Sequence, residues 1–83
     1  MPYIKQDCRY EIDRVLDCLD DVNIGEVNYI ITKLCKKYIE ENDESYANYN
    51  SLVGVLECAK LELYRRKISK YEDVKIIENG DVY

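Results

Sequence analysis

Histidine, tryptophan and phenylalanine are all missing from this 83-residue chain, and it holds one proline and three glycines. Without imidazole there is no His-containing zinc site, no Ser-His or Cys-His nucleophile system and no histidine proton shuttle. Most routes to a small enzyme close on that ground, so the expectation is a protein that is not an enzyme and carries no cofactor. So few helix breakers favour a compact, mostly helical chain. No stretch approaches the ~20 apolar residues of a membrane span, and Met1–Asp7 has no apolar core of a signal peptide, so no membrane association is expected.

Paired cysteines are lacking as well. Cys8, Cys18, Cys35 and Cys58 are separated by 10, 17 and 23 positions, so no CxxC pair can nucleate a metal site or a redox dithiol. They read as small buried hydrophobes in a reducing cytosol, which makes the expected location cytoplasmic. The acidic clusters Asp17 with Asp20-Asp21 and Glu40-Glu41 with Asp43-Glu44 lack the spaced ligands, central glycine and closing glutamate of a calcium hand. They read as solvated faces, with no metal expected.

What is present is tyrosine and charge. All nine aromatics are Tyr, 35% of residues are charged, and the net charge is −5, which argues against general nucleic-acid binding. The charge is uneven: residues 1 to 44 carry the whole excess of acid, while Lys60, Arg65, Arg66, Lys67 and Lys70 stand against only Glu62 between Lys60 and Tyr71. Such a patch attracts an anionic ligand by its local field, or serves simply as a solvated helix end that complements the macrodipole.

The length allows one domain with a thin core, which self-association would complete. Periodicity predicts an all-α fold of three helices, over about 7–20, 24–41 and 46–70. Ile4, Cys8, Ile12, Val15, Leu16 and Leu19 mark the first. Val27, Ile30, Ile31, Leu34, Cys35, Tyr38 and Ile39 mark the second, with Asn23 and Glu26 placed for a capping box. The long third helix is apolar on two sides. Tyr49, Leu52, Val53, Leu56, Ala59, Leu63 and Ile68 form one stripe; Val55, Cys58 and Leu61 extend apolar character round another. Gly54 and Cys58 would allow a close helix approach, so either the other two helices cover both sides or a second copy of this helix covers one. Beyond Tyr71, β-branched residues around Asn79-Gly80 predict a short β-turn or hairpin tail over 72–83.

Gly54–Arg66, then Tyr71-Glu72-Asp73, then Glu78–Tyr83, together with Met1-Pro2-Tyr3-Ile4, resemble a family of short uncharacterised proteins of bacteria and bacteriophages. The resemblance spans most of the chain and is most specific in its last 30 residues. The family pattern has a proline shortly before the position of Tyr71, whereas here Ile68-Ser69-Lys70 can continue the helix. The resemblance implies an accessory, host-facing role of the anti-defence type, in the host cytosol.

These readings combine into an expected function: a homo-oligomer that sequesters a small anionic nucleotide immune signal, a cyclic oligonucleotide or an ADP-ribose derivative, between its subunits. Arg65 and Arg66, with Lys67 and Lys70, would grip phosphate. Tyr64, Tyr71 and Tyr83 would stack on bases, and Asn79 and Asp81 would read base or ribose edges. Tyr64, Lys67 and Tyr71 fall on one face at α-helical spacing. The alternative is a helical protein-interaction module that inhibits a host protein.

Overall fold

The structure is a computed structural model covering residues 1–83, entirely helical apart from its connections and ends. A short 3₁₀ turn, Gln6–Cys8, leads into α1 (Tyr10–Asp17). Two longer helices follow, α2 (Ile24–Asn42) and α3 (Tyr46–Leu63). A π-helical turn, Tyr64–Ile68, then joins α3 directly to α4 (Ser69–Asn79). The third helix of the fold is therefore one rod from Tyr46 to Asn79. At 1.5 Å per residue it is about 50 Å long, which matches the molecule's longest dimension of 49 Å.

Local chemistry explains the boundaries. The Asn23 side chain accepts from the Glu26 amide at 2.9 Å while the Glu26 carboxylate accepts from the Asn23 amide at 3.0 Å, the reciprocal capping box expected for α2. The turn between α2 and α3 is fastened by Asn48, whose Nδ2 donates to the carbonyls of Asn42 (3.2 Å) and Asp43 (2.9 Å), and Ser45 Oγ accepts from the Asn48 amide at 3.1 Å. Asp43 takes a positive φ of 104° to make that turn. α1 is shorter than the predicted 7–20, because the chain enters through the 3₁₀ turn and leaves after Asp17 toward Asp21, which also has a positive φ.

The hairpin tail predicted over 72–83 is corrected: Glu72 to Asn79 is helix and only Gly80–Tyr83 lies outside it. No proline interrupts Ile68-Ser69-Lys70, so the helix runs on through Glu72 to Asn79. Asn79-Gly80 acts as a helix stop instead. Gly80 adopts φ +93° and its amide still reaches the Ile76 carbonyl at 2.9 Å, a conformation that glycine takes without a Cβ penalty.

Packing is sparse. α2 and α3 are the only pair of α-helices in contact other than through the chain's own continuity, and α1 packs on no other α-helix. Ile39, Cys35, Tyr49 and Leu52 line the crease beside the α2–α3 turn, and Ile30, Cys35, Ile39, Leu52 and Ile68 are the half-buried apolar side chains. No residue is buried. The expectation of buried cysteines fails with it: Cys8, Cys18 and Cys58 are exposed and only Cys35 is half-buried. The radius of gyration is 16.7 Å, against about 12 Å for a compact domain of this length. The accessible surface is 7816 Å², whereas a folded monomer of this mass exposes about 5,200 Å².

Candidate functional site

The basic cluster sits on the π turn. Ser69, which follows the turn, donates its amide to the Tyr64 carbonyl, five residues back, and its hydroxyl to the Arg65 carbonyl at 2.9 Å. A single π turn in an α-helical rod accommodates one extra residue, so the side chains of α4 are swung by about 100° relative to those of α3. That shift overrides the expected face. Tyr64, Lys67 and Tyr71 share a side only at strict α spacing, which the bond from the Ser69 amide to the Tyr64 carbonyl breaks. No propensity in Tyr64-Arg65-Arg66-Lys67-Ile68 marks a π turn, and the sequence reading missed it.

The four predicted cations divide. Arg65 is engaged: its Nη2 donates to Glu62 Oε1 at 2.6 Å and approaches the Tyr3 hydroxyl at 3.4 Å, while that hydroxyl donates to the same Glu62 oxygen. Hydrogen bonds from Arg65 and then Tyr3 hold the Glu62 carboxyl below the usual carboxylate range, and the Glu62 hydrogen bond raises Arg65 further. Arg65 thus ties the start of the chain to the end of α3. Arg9, whose guanidinium caps the Ile4 carbonyl at 2.9 and 2.6 Å, keeps that N-terminal segment folded back. The link joins residues 59 and 62 positions apart and follows no helical period, so no local pattern marks Tyr3 and Glu62 as partners.

Arg66, Lys67 and Lys70 make no side-chain hydrogen bond or ion pair, unlike Lys36, Lys37, Lys60 and Lys75, each of which pairs with a glutamate one helical turn away. Arg66 and Lys67 on the π turn and Lys70 just beyond it are thus three uncommitted cations, and the nearby rings of Tyr64 and Tyr71 are exposed. The Tyr71 ring also carries Lys75 Nζ at 5.5 Å from its centroid.

Asn79, Asp81 and Tyr83 lie elsewhere. Fifteen residues of helix, about 22 Å, separate Tyr64 from Asn79. The tail lines a shallow depression of about 340 Å³ with Glu72, Lys75 and Ile76. There the Asp81 carboxylate accepts from the Tyr83 amide at 2.9 Å, and Lys75 is already paired with Glu78 at 3.0 Å. The surroundings are acidic rather than phosphate-seeking. One chain therefore does not bring the tail residues and the basic turn together around a single small ligand.

Elsewhere on the surface, Glu44 accepts from the Tyr49 hydroxyl at 3.0 Å, a bond that raises the phenol's pKa, and Glu41 holds the Lys37 ammonium and raises its pKa. No group of three or more His, Cys, Asp and Glu side chains converges on a point that would hold a metal ion, and no helix is long and apolar enough to cross a membrane.

The fold and surface thus define a class: an open, all-helical chain with a long third helix, a basic π turn and no core of its own. The chain belongs to the protein family described as Domain of unknown function (DUF6899), whose model matches residues 1–82. No curated protein and no solved structure matches it.

Proposed function

We propose that this protein is a non-enzymatic binding protein that assembles with copies of itself and sequesters a small anionic nucleotide between subunits. The observation that carries the reading is the set of three unpaired cations, Arg66 and Lys67 on the only π turn of an otherwise acidic molecule and Lys70 at the start of α4, with Tyr64 and Tyr71 beside them. π turns in α-helices frequently mark functional positions. Guanidinium and ammonium groups take phosphate oxygens, and tyrosine rings take a base on their faces. One chain offers these groups as an open surface, so a second subunit must supply the opposite wall. The tail residues Asn79, Asp81 and Tyr83 belong to such a site only when they come from that neighbour. In this reading the protein is an accessory factor of the bacteriophage anti-defence type, holding a cyclic oligonucleotide or ADP-ribose derivative away from its effector in the host cytoplasm.

Isothermal titration with a panel of cyclic dinucleotides and ADP-ribose analogues tests the reading. At least one ligand should give saturable heat that disappears in the Arg66→Ala, Lys67→Ala, Lys70→Ala triple variant. No heat from any member would overturn it. The second reading, a helical module that docks on and inhibits a host protein, draws support from the exposed apolar faces of α1 and α3, which a foreign protein could cover.

A further inference from the structure

The apolar surface of α3 identifies what covers it. α2 is the one separate α-helix packed on α3, and Leu52 marks the side turned toward that neighbour as half-buried. The opposite side carries Ala47, Ser51, Gly54, Cys58 and Leu61, at steps of four, three, four and three residues. That 3.5-residue rhythm is the seam of a coiled coil, here built from small side chains that permit close backbone approach. All five positions are exposed, Leu61 to 54%, and a Cβ placed on Gly54 would meet nothing within 4 Å. Within one chain, then, neither packing nor a special φ requires glycine at Gly54, although glycine in a helix interior destabilises it by about 1 kcal/mol relative to alanine.

We propose that a second copy of this chain packs on the seam, with the two α3 helices antiparallel and crossing at Gly54 on a two-fold axis. The proposal rests on the assembly half of the reading above and not on its ligand. Area argues for a second copy over a foreign partner. The chain exposes about 2,600 Å² more than a monomer of its mass, and recovering it on both partners of a dimer would bury about 5,000 Å², at the upper end of obligate interfaces. A chain with no buried residue has no folded core in which to await a different protein.

Charge sets the direction. α3 begins beside the acidic turn that carries Asp43 and Glu44, and it runs into the π turn that carries Arg65, Arg66 and Lys67. A parallel pair would align like charges, whereas an antiparallel pair centred on Gly54 sets residue 43 of one copy near residue 65 of the other. Glu44 is bonded to Tyr49 and Arg65 to Glu62. The phenol leaves Glu44 its charge, whereas Glu62 neutralises Arg65; two carboxylates, Asp43 and Glu44, therefore meet three uncommitted cations, Arg66, Lys67 and Lys70, and each end keeps an excess of positive charge for an anion.

Cysteine cross-linking tests the geometry in the full chain. With Cys8, Cys18 and Cys35 replaced by Ala, Cys58 alone should stay largely uncross-linked under copper–phenanthroline. Adding Ser51→Cys, the antiparallel counterpart of Cys58, should yield covalent dimer. Efficient cross-linking through Cys58 alone, or none in the Ser51→Cys protein, would overturn the antiparallel seam. Gly54→Gln supplies a test of opposite sign. On an open helix it raises the thermal midpoint by relieving the glycine penalty, but on a packed seam it lowers the midpoint and shifts the mass toward monomer. A raised midpoint with unchanged mass contradicts the proposal, and so does a wild-type chain that is monomeric. An oligomer that cross-links as expected but gives no heat with any nucleotide would leave this interface standing while the ligand reading fell.

Discussion

Glu62 joins three parts of the chain through single side chains: its carboxylate accepts from Arg65 on the π turn and from Tyr3 near the start, and both bonds hold its pKa down. A depressed carboxyl contributes its stabilisation above the unfolded pKa, about 4.3, and loses it as pH falls through the lower folded value. The N-terminal segment should therefore stay docked at pH 5 and detach in stronger acid, below the ordinary carboxylate range. Amide exchange of residues 3 to 9 followed against pH measures this, and Tyr3→Phe should give the same release at neutral pH. The network also separates the cations by role. Arg65→Ala should free the N-terminal segment, whereas Arg66→Ala with Lys67→Ala should leave it docked and remove affinity for an anion.

Helix α2 depends most clearly on its own sequence. Loss of the Asn23 side chain leaves the Glu26 amide without an acceptor, so Asn23→Ala should lower stability by about 1 kcal/mol per chain, read as a shift in the urea midpoint at fixed protein concentration. At the other end, Gly80→Ala places a Cβ at φ +93°, a strain of about 1–3 kcal/mol. The exposed last turn relieves it by fraying, with faster amide exchange at Glu78 to Gly80 and an unchanged midpoint.

These ends also show how far the elements were legible. The capping box of α2, the polar turn before α3 and the two-sided apolar pattern of α3 are local, and each is written in residues a few positions apart. Asn79-Gly80 is equally local but ambiguous, since the same pair closes a hairpin or stops a helix, and the unbroken helix that leads into it decides. The π turn has no local signature, so the 100° swing that separates Tyr64 from Tyr71 was out of reach. The bond from Tyr3 to Glu62 depends on how the whole chain is routed.

At the scale of the molecule, the feature that organises the rest is a set of apolar helix faces with nothing of the same chain upon them. Ile12, Val15 and Leu16 on α1 and Leu19 just beyond it are exposed, as are Val53, Val55 and Leu61 on α3 and Ile77 on α4. Isolated amphipathic helices are marginal in water, and their stability comes from covering such faces. Folding and association should therefore be one event, with a thermal midpoint that rises with protein concentration. The most direct measurement is the mass of the purified chain by multi-angle light scattering across a dilution series. The expected result is a multiple of 9.9 kDa that persists until dilution unfolds the helices. A 9.9 kDa species that stays helical and melts cooperatively at a concentration-independent temperature would contradict it.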